Sequence, residues 1–567
     1  MYLKSLYPPV PSTPDVNFHE LLFTSPLPVP IPEYTLHIDG LTGRSRTRNE
    51  FYEEVRDGAT ALATPTQQGG LGLSSENGDV VAIYSTNSLE YMTLIHACLV
   101  IGVPFTLLSA FYTPYELAHA VKTTKPSRIF AHPSLLGKVE TAAKDIGLPS
   151  QRIYLLEGTA PGKESFAGVL QQVRARTLAR VPVKPVKKDS IAYLMFSSGT
   201  GGLPKAVMIS HGNLAFTLAA LVVYVKEEMK LNASPTPPPH LTWVAALPFH
   251  HSYGLHMFCL RGFIFPTTFV ILPRWDTEQV LDAIPRYRVS MLPLVPSVAH
   301  QLVFSKKFAN ADLSSITNVL CGAAALPPVV RKKLSGLTKS AIAEGYGITE
   351  ATLSACLQPA PGVIPGVEPV LGSCGILLPG MEARILREDG SDADVNEPGE
   401  LWLRGRNVAM GYYNNEQATK ETFVDGWLRT GDSLRANANG TFFFVDRLKD
   451  TLKISGAQVS PTEIEDVLRS HPSGFILDVS VAGVPGTRSE DEKVPRAWIV
   501  LSDEGKRIGE HVVAKELDEW VKTNLSSFKW LRGGIEVVDE IPKLSTGKVL
   551  RRALQQKYVE QRVPHKL

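Results

Sequence analysis

Short apolar runs alternate with helical patterns through about the first 350 residues. Residues 80–85 (VVAIYS) and 128–134 (RIFAHPS) read as strands, and the apolar spacing between them at 88–102 is helical. The same rhythm recurs at HLTWVAALPF, TFVILP, VSMLPLVP and NVLCGAA. Such alternation is typical of parallel sheets covered by helices. The pattern therefore predicts an α/β fold for this part of the chain.

The pattern changes after about Gly372. MEARILREDG, GELWLRG and TFFFVDR read as shorter strands joined by Gly, Asp and Asn turns, which predicts a β-rich subdomain. A compact tail follows, with helical patterns at PTEIEDVLRS and VAKELDEWVKTNL and strands at DVSVAGV, RAWIVL and IEVVD. We therefore predict a large domain at 1–448 and a small α+β domain at 449–567.

One stretch, residues 90–112, is long enough to cross a membrane, which takes about 20 apolar residues. His96 lies inside it, and Gly102 and Pro104 divide it. Two short apolar elements joined by Gly and Pro are typical of a buried α/β core. We predict a helix to Ile101, a turn and a buried strand instead of a membrane span.

Charge and cysteine content limit the classes of function and the cellular compartment that we expect for the chain. The 567 residues include 58 Lys and Arg against 56 Asp and Glu, a net charge of +2, which argues against nucleic-acid binding by bulk charge. Five cysteines are scattered without CxxC spacing. We expect reduced thiols in an intracellular protein.

The segment FSSGTGGLPKAV, at 196–207, leaves the end of the buried run SIAYLMF. Glycines let backbone N–H groups converge on one anion, and Lys205 can reach a phosphate. The pattern GxxxxGK[ST] fails at Pro204 and Ala206, and GxGxxG fails at Pro204. The segment is therefore a phosphate-binding loop of another kind; a flexible glycine turn with a solvated lysine is the alternative.

Further segments carry groups that suit a nucleotide. GYGITEAT places Glu350, a carboxylate that Mg²⁺ could use beside phosphates, on a turn after a strand. GWLRTGD ends a strand in Asp432, which can accept hydrogen bonds from ribose hydroxyls. IPKLSTGKVLRR places Lys548 on an exposed turn. The histidines of PFHHSYGLH could bind zinc, but the segment follows a strand and we do not expect a metal site there.

These motifs occur in one order from about Val80 to Arg552, and together they resemble the adenylate-forming superfamily. That family includes acyl-CoA synthetases, firefly luciferase and nonribosomal-peptide adenylation domains, and the chain is most similar to the 4-coumarate:CoA ligase-like group. The resemblance implies a mobile C-terminal domain and the use of ATP, Mg²⁺ and CoA. A carboxylic acid, aryl or medium-chain, would become an acyl-adenylate and then pass to the CoA thiol.

The resemblance also implies roles for individual residues on the nucleotide side. The β- and γ-phosphates would be held by Ser197, Ser198, Gly199, Thr200, Gly201 and Lys205. Adenine and the α-phosphate would be lined by Glu344, Tyr346, Gly347 and Thr349, with Glu350 on Mg²⁺, Ala323 and Ala324 beside the adenine and acyl pockets, and Asp432 and Arg447 on the ribose. Lys548 would stabilise charge on the α-phosphate during adenylation.

For the second step, the resemblance makes Lys449 the hinge. The residues brought in for thioester formation would be Lys453, Ser455, Gly456 and Gln458. His251 would gate the acyl and CoA tunnels, Tyr253 and Leu353 would line the acyl pocket, and Arg274 would contact a CoA phosphate, with a plain surface arginine as the alternative. His250 and His256 are expected to be structural. We see no charged anchor in the acyl pocket.

Some residues depart from the family pattern. Gly201 removes one hydroxyl from the loop, Ala206 removes backbone freedom, Glu344 stands where glutamine is common and Ser455 replaces a frequent lysine. Two alternatives stay open: an adenylating enzyme whose acceptor is a carrier protein or oxygen, and a nucleotide-binding regulatory protein without catalysis.

The chain ends in His565-Lys566-Leu567, a looser variant of the Ser-Lys-Leu peroxisomal address. We expect recognition by a peroxisomal import receptor, and otherwise a cytoplasmic protein; a chance basic tail is the alternative.

Overall fold

The computed structural model describes the chain except residues 24–32, 198–203, 232–239, 324–325, 337–340, 449, 451, 455–456, 487–492, 526, 544–548 and 563–567. The strands are β1 (Tyr2–Lys4), β2 (Thr35–Asp39), β3 (Ser45–Thr47), β4 (Val81–Tyr84), β5 (Phe105–Leu108), β6 (Arg128–Ala131), β7 (Ile153–Leu155), β8 (Ile191–Ser197), β9 (Lys205–Ser210), β10 (Leu241–Ala245), β11 (Thr267–Ile271), β12 (Met291–Leu294), β13 (Asn318–Cys321), β14 (Ala341–Tyr346), β15 (Cys356–Leu357), β16 (Ile376–Leu377), β17 (Glu382–Leu386), β18 (Gly399–Arg404), β19 (Phe423–Val424), β20 (Trp427–Ala436), β21 (Phe442–Arg447), β22 (Leu452–Ile454), β23 (Ala457–Val459), β24 (Ile476–Pro485), β25 (Lys493–Leu501) and β26 (Ile535–Val537).

The α-helices lie between these strands. They are α1 (Phe18–Phe23), α2 (Arg48–Ala63), α3 (Leu89–Val100), α4 (Pro114–Thr124), α5 (Leu136–Lys144), α6 (Phe166–Ala175), α7 (His211–Leu231), α8 (Ser252–Gly254), α9 (Thr277–Tyr287), α10 (Pro296–Phe304), α11 (Pro328–Ser335), α12 (Glu416–Thr422), α13 (Pro461–Arg469), α14 (Asp503–Ile508), α15 (Glu510–Asn524) and α16 (Arg551–Arg562). A π-helical segment, Leu255–Leu260, continues α8.

The first α/β sheet has the order β7-β6-β4-β5-β8-β9 in the described chain, parallel except for the β8–β9 pair. Helix α3 begins at Ser88, whose side chain accepts a hydrogen bond from the N–H of Tyr91, and it is buried on all sides. Gly102, with φ +63°, makes the turn into β5. The predicted helix, turn and strand are therefore confirmed. No helix in the described residues is long and apolar enough to span a bilayer.

The second α/β sheet has the order β16-β15-β14-β13-β12-β10-β11-β2-β3. Its centre, from β14 to β2, is parallel, and both edges are antiparallel. The strands predicted at HLTWVAALPF, TFVILP, VSMLPLVP and NVLCGAA are confirmed as β10 to β13. One apolar core lies between this sheet and the first, and it includes Tyr193, Phe249, Phe258 and Phe269.

The β-rich subdomain is an antiparallel sheet of order β1-β17-β18-β20-β19, with β21 added beside β20. Its predicted strands are confirmed, but the sequence indicated no strand at the N-terminus. Tyr2 pairs with Arg384, so β1 reaches this sheet across most of the chain. Three residues carry too little pattern to predict such a pairing.

The tail from β22 onward has a core of its own, formed by the β22–β23 hairpin, the sheet β24-β25-β26 and helices α13 and α15. Helix α13 begins with the Ser460 side chain accepting from the N–H of Glu463. The Ser460 hydroxyl also donates to Asp446 Oδ2 at the end of β21, at 2.7 Å. The α+β character of the tail is confirmed, and the boundary at 448/449 stays a prediction.

Candidate active site

One polar cluster surrounds Glu350, which lies on a single 3₁₀ turn after β14. The hydroxyl of Ser197, the last residue of β8, donates to Glu350 Oε1 at 2.8 Å. The hydroxyl of Tyr412 donates to the same oxygen at 2.9 Å. The Lys205 ammonium lies 4.7 Å from the centre of the Tyr412 ring, and Lys205 pairs with Ser197 across β8 and β9. The structure thus brings the predicted serine, lysine and glutamate together.

Tyr412 is the residue that sequence reasoning missed here. The segment 409–413 runs beside β9: the N–H of Met208 donates to Gly411, and the N–H of Tyr413 donates to Ala206. Burial, and then the Glu350 carboxylate, raise the pKa of Tyr412 far above its usual value, so its hydroxyl keeps its proton. Nothing in GYYNNE suggested this contact, because it depends on pairing across the fold.

A second polar cluster surrounds Asp432. The Tyr346 hydroxyl donates to Asp432 Oδ2 at 2.7 Å, and Arg447 Nε lies 3.3 Å from Oδ1. Asp432 is 1 % exposed and Tyr346 is 8 % exposed. Burial and the neighbouring carboxylate raise the pKa of Tyr346 well above its usual value. The predicted ribose-binding pair is adjacent, with Tyr346 as its hydrogen-bond donor.

The prediction that a strand ends at Asp432 was wrong. Strand β20 runs from Trp427 to Ala436, and Asp432 lies inside it opposite Arg447 of β21. A shift in register follows at Ser433/Leu434. The Gly431 turn signal (φ +68°) is therefore absorbed by an irregular strand and does not end it.

Glu344 is engaged with protein groups. Its carboxylate forms an ion pair with Arg331 of α11, and its Oε2 accepts from the N–H of Leu326 at 2.9 Å. The backbone N–H of Glu344 donates to Gln358 Oε1 at 3.1 Å. Glu344 is 5 % exposed, and its carboxylate holds the chain that follows the loop after β13. Arg331 gave no signal in the sequence.

The turns around the two clusters have unusual backbone conformations. Ala323, Thr352 and Leu353 have φ of +71°, +51° and +88°, which is rare for residues with a side chain. At Gly347, an added Cβ would lie 1.6 Å from the Leu353 carbonyl oxygen, so no side chain fits. Such strain persists where the surroundings impose it, often at binding sites. Thr349 lies in the same turn.

The histidine segment follows β10. His251 caps α8 through Nδ1, which accepts from the N–H of Tyr253 at 3.3 Å. The Tyr253 hydroxyl donates to the carbonyl of Leu320 at 3.0 Å, and the Tyr253 ring lies against Gly322. The predicted acyl-pocket residue Tyr253 thus lies beside the loop that carries Ala323. Leu353 packs against the same core.

All three histidines of this segment are neutral at pH 7. Burial lowers the pKa of His250 to about 3 and that of His251 to about 4, and it lowers the pKa of His256 well below the usual value. His256 is structural as predicted, because its Nε2 is 2.8 Å from the Tyr193 hydroxyl. The described residues contain no group of three or more His, Cys, Asp or Glu side chains that could together hold a metal ion.

The remaining predicted residues are outside these clusters or outside the described residues. Arg274 is exposed on the loop after β11. Lys453 and Gln458 face each other in the β22–β23 pairing, and their side chains are outside the described residues. Also outside are Ser198, Gly199, Thr200, Gly201, Ala324, Lys449, Ser455, Gly456, Lys548, His565, Lys566 and Leu567.

Sequence reasoning also missed Arg551, three positions after Lys548. Its guanidinium lies 3.0 Å from Asp450 Oδ2, 2.8 Å from Glu465 Oε1 and 3.8 Å from Asp446 Oδ1. These carboxylates raise the pKa of Arg551 against the opposing effect of burial. Arg551 therefore ties α16 to the end of β21 and to the start of the tail.

Known proteins resemble the chain over most of its length. A 4-coumarate–CoA ligase 5 of Oryza sativa subsp. japonica is 32 % identical over 528 residues, covering 92 % of this chain and 91 % of that protein. An acyl-CoA ligase of Alternaria alternata is 31 % identical over 506 residues, covering 85 % of this chain and 83 % of that protein. An o-succinylbenzoate CoA synthetase of Bacillus subtilis, solved with ATP and magnesium, shares the fold with a TM-score of 0.73 and is 24 % identical. The match covers 95 % of this chain and 99 % of that chain.

Two family models match the chain. The model of the AMP-binding enzyme C-terminal domain matches residues 463–548. The model of the AMP-binding enzyme matches residues 32–413, about two thirds of the chain, and the chain therefore belongs to the AMP-binding enzyme family.

Proposed function

We propose that this protein is an ATP-dependent acid:CoA ligase that activates an aryl or medium-chain carboxylic acid as an acyl-adenylate. The observation that best supports this proposal is that residues 346–350 connect the two polar clusters. Tyr346 at one end binds Asp432, and Glu350 at the other binds Ser197. Four residue steps span at most about 14 Å, which suits the distance from a ribose to the outer phosphates of one nucleotide.

The nucleotide would lie along this segment. Asp432 accepts hydrogen bonds, and it would bind the ribose hydroxyls while Tyr346 and Arg447 hold it in place. Lys205 and the Ser197 backbone lie at the other end, next to the glycine-rich loop, where the β- and γ-phosphates would lie. These groups are already paired with one another, so they are preorganised for charge on the nucleotide.

Glu350 is suited to hold Mg²⁺. Ser197 and Tyr412 both donate to Oε1, and the described residues place no hydrogen bond on Oε2, which leaves that oxygen for a cation. Mg²⁺ typically takes one or two carboxylates and completes its shell with phosphate oxygens and water. When bound, it would neutralise charge on the phosphates during transfer.

The first step forms a bond between a carboxylate oxygen of the acid and the α-phosphorus, and the bond to pyrophosphate breaks. Lys548 would stabilise the charge that develops on the α-phosphate. In the second step the CoA sulfur attacks the acyl carbon and AMP leaves, after a rotation about Lys449 brings in Lys453, Ser455, Gly456 and Gln458. His251, which is neutral at pH 7, would gate the acyl and CoA paths.

The test is acid-dependent ATP–pyrophosphate exchange, followed by mass spectrometry of the products with CoA present. We expect exchange with aryl or medium-chain acids and the matching acyl-CoA. Acyl-AMP that accumulates while CoA is ignored would instead indicate a carrier protein or oxygen as the acceptor. Tight ATP binding without exchange would indicate a regulatory protein.

A Lys548→Ala variant tests whether Lys548 serves the adenylation step and not the thioester step. Losing one preorganised charge contact typically costs about 10²–10³ in rate. We expect that loss in pyrophosphate exchange, whereas thioester formation from supplied acyl-AMP should keep its rate. Equal losses in both steps would contradict the assignment of Lys548 to adenylation.

We also propose peroxisomal import through the C-terminal His565-Lys566-Leu567. The support is the similarity of these residues to Ser-Lys-Leu. A fluorescent protein fused to the N-terminus should be peroxisomal in the full chain and cytosolic after deletion of the last three residues. An unchanged location would contradict the proposal.

A further inference from the structure

Arg261 is a partly buried cation beside the core that lies between the two α/β sheets. Its backbone N–H donates to the carbonyl of His256, five residues back, at 2.8 Å, which is the bond of a π turn. The residues on both sides, Leu260 and Gly262, are buried. An added Cβ on Gly262 would lie 2.4 Å from the Phe269 ring, so the backbone has no room to shift outward.

The guanidinium lacks a counter-charge. Its Nε and Nη2 are buried and have no hydrogen-bond partner, and no described carboxylate forms an ion pair with it. The Tyr193 hydroxyl interacts with it electrostatically but is itself bonded to His256. Burial lowers the pKa of Arg261 to about 10, so it stays cationic at neutral pH. Buried polar atoms without a partner cost free energy, which favours a ligand that accepts hydrogen bonds from Nε and Nη2.

Other polar atoms nearby are also unpartnered. The indole N–H of Trp243 is buried without an acceptor, and its ring centre is 5.8 Å from that of Phe269, the ring that Gly262 contacts. The Nδ1 atom of His256 is buried without a partner too. Arg261 adds to the effect of burial in lowering the pKa of His256, so these two side chains lie close together, and each has a buried nitrogen without a partner among the described residues.

Arg261 directly follows the helical segment that begins with Tyr253, the residue proposed to line the acyl pocket. Tyr253, Met257 and Arg261 follow one another at intervals of four, and the wide π turn keeps such residues on one helix face. The Tyr253 ring lies against Gly322, beside the proposed adenylate. Eight residues of α-helix would rise by about 12 Å, so Arg261 lies at most about that far from Tyr253 along the helix axis.

The core that contains Tyr253 and Met257 is apolar. Partly buried hydrophobic side chains that pack against it include Trp243, Met291, Leu320 and Leu353. An acid that reached from Tyr253 to Arg261 would meet apolar groups first and a cation at its end.

We propose that Arg261 binds a second carboxylate on the acid, so that the enzyme prefers medium-chain α,ω-dicarboxylic acids to monocarboxylic acids of the same length. This inference rests on the proposed function. The planar guanidinium can bind a carboxylate through two parallel hydrogen bonds, which fixes the chain end and directs the other carboxylate to the α-phosphate. The expectation of an acyl pocket without a charged anchor is thereby revised.

The experiment compares kcat/KM for suberic and octanoic acids, with adipic/hexanoic and sebacic/decanoic acids as further pairs. Sites built around a charged or hydrogen-bonding group reject the analogue that lacks its partner by large factors. We expect the wild type to favour one diacid over its monoacid by about 10²-fold. Arg261→Met should reverse the preference, and Arg261→Lys should retain part of it, with KM for ATP unchanged in both.

The outcomes separate the two proposals. A wild type that activates monoacids and favours them over every diacid would overturn the subsite and leave the ligase function standing. Equal losses for suberate and octanoate in Arg261→Met would assign Arg261 to packing and also overturn it. The absence of pyrophosphate exchange with any acid would overturn the proposed function, and the subsite with it. The wild-type comparison needs no variant, so a variant that fails to fold does not prevent the test.

Discussion

The nucleotide side and the acyl side of the proposed site are built differently. On the nucleotide side the functional groups are already paired: Ser197 and Tyr412 with Glu350, and Tyr346 with Asp432. On the acyl side, both ring nitrogens of His250 and two nitrogens of Arg261 are buried and have no hydrogen-bond partner in the part of the chain that the structure describes. The nucleotide side therefore satisfies its buried polar groups within the protein, whereas the acyl side leaves some of them without a partner.

The difference fits what each side would bind. ATP is the same in every turnover, so groups that hold one another in place cost nothing in selectivity and reduce reorganisation in the reaction. The acid is what distinguishes one ligase from another. Unpartnered polar groups in an apolar pocket discriminate strongly, because the wrong acid leaves them unpaired. Changes on the nucleotide side should therefore affect all acids alike, and changes on the acyl side should affect acids selectively.

The largest effect should come from Glu350→Gln. The amide can still accept from Ser197 and Tyr412, so the local structure should persist, but the negative charge for Mg²⁺ is lost. We expect pyrophosphate exchange to fall by about 10²–10³ and by the same factor for every acid. Glu368→Gln, at an exposed position, is the matched control and should keep full activity. A loss of activity that differed from acid to acid would contradict the assignment of Glu350 to the nucleotide side.

The next effect should come from Tyr346→Phe. The variant keeps the ring but removes the donor to buried Asp432, and a hydrogen bond to a charged group contributes about 1.5–3 kcal/mol. We expect KM for ATP to rise about 10- to 100-fold, again equally for all acids. Tyr287→Phe is the control, because the Tyr287 hydroxyl is buried without a partner. An unchanged KM for ATP in Tyr346→Phe would remove Asp432 from the proposed ribose site.

Much of the nucleotide side could be predicted from the sequence. Ser197, Lys205 and Glu350 stand in short motifs that follow strands, and strand ends at one sheet edge bring such motifs together. The partners could not be predicted. Tyr412 reaches Glu350 from 62 positions along the chain, and nothing in its own segment marks that contact.

On the acyl side, the sequence predicted Tyr253 and the structural role of His256, but it gave no reason to expect a partly buried Arg261 beside the core. An arginine after an apolar helix usually reads as a helix end exposed to water. Here a π turn shifts the helix by one residue, and that geometry has no sequence signature. β1 was missed for a similar reason, because its partner β17 lies across the fold.

A smaller, selective effect should come from Tyr253→Ala. The ring lies against Gly322, so its removal enlarges the pocket near the adenylate. We expect kcat/KM to shift by about tenfold towards bulkier acids, since apolar contacts discriminate by about 1–3 kcal/mol, with KM for ATP unchanged. Tyr253→Phe loses the hydrogen bond to Leu320 but keeps the shape, and it should keep the wild-type ranking of acids. Identical rankings in Tyr253→Ala would place this ring outside the acyl pocket.

The smallest effect concerns stability and pH, and it tests the acyl side through His250 and His251. Burial lowers the pKa of His250 to about 3 and of His251 to about 4, whereas an unfolded histidine has a pKa of about 6.5. Below about pH 6.5 the unfolded chain binds protons that these folded residues do not. Their contribution to stability is therefore fully present above that pH and is lost as the pH falls towards 4.

Each such histidine lowers the free energy of unfolding by up to about 1.4 kcal/mol per pH unit in this window. Glu157 opposes one of them, because burial raises its pKa to about 7 and a raised carboxyl pKa favours the folded state at lower pH. Urea unfolding between pH 7.5 and 5 should show the decline, and His250→Gln should reduce its slope by up to that amount. An equal slope in His250→Gln and wild type would mean that His250 takes up its proton at the same pH in the folded and the unfolded chain. His250 would then not be a buried group without a partner, and the contrast between the two sides would fail at this residue.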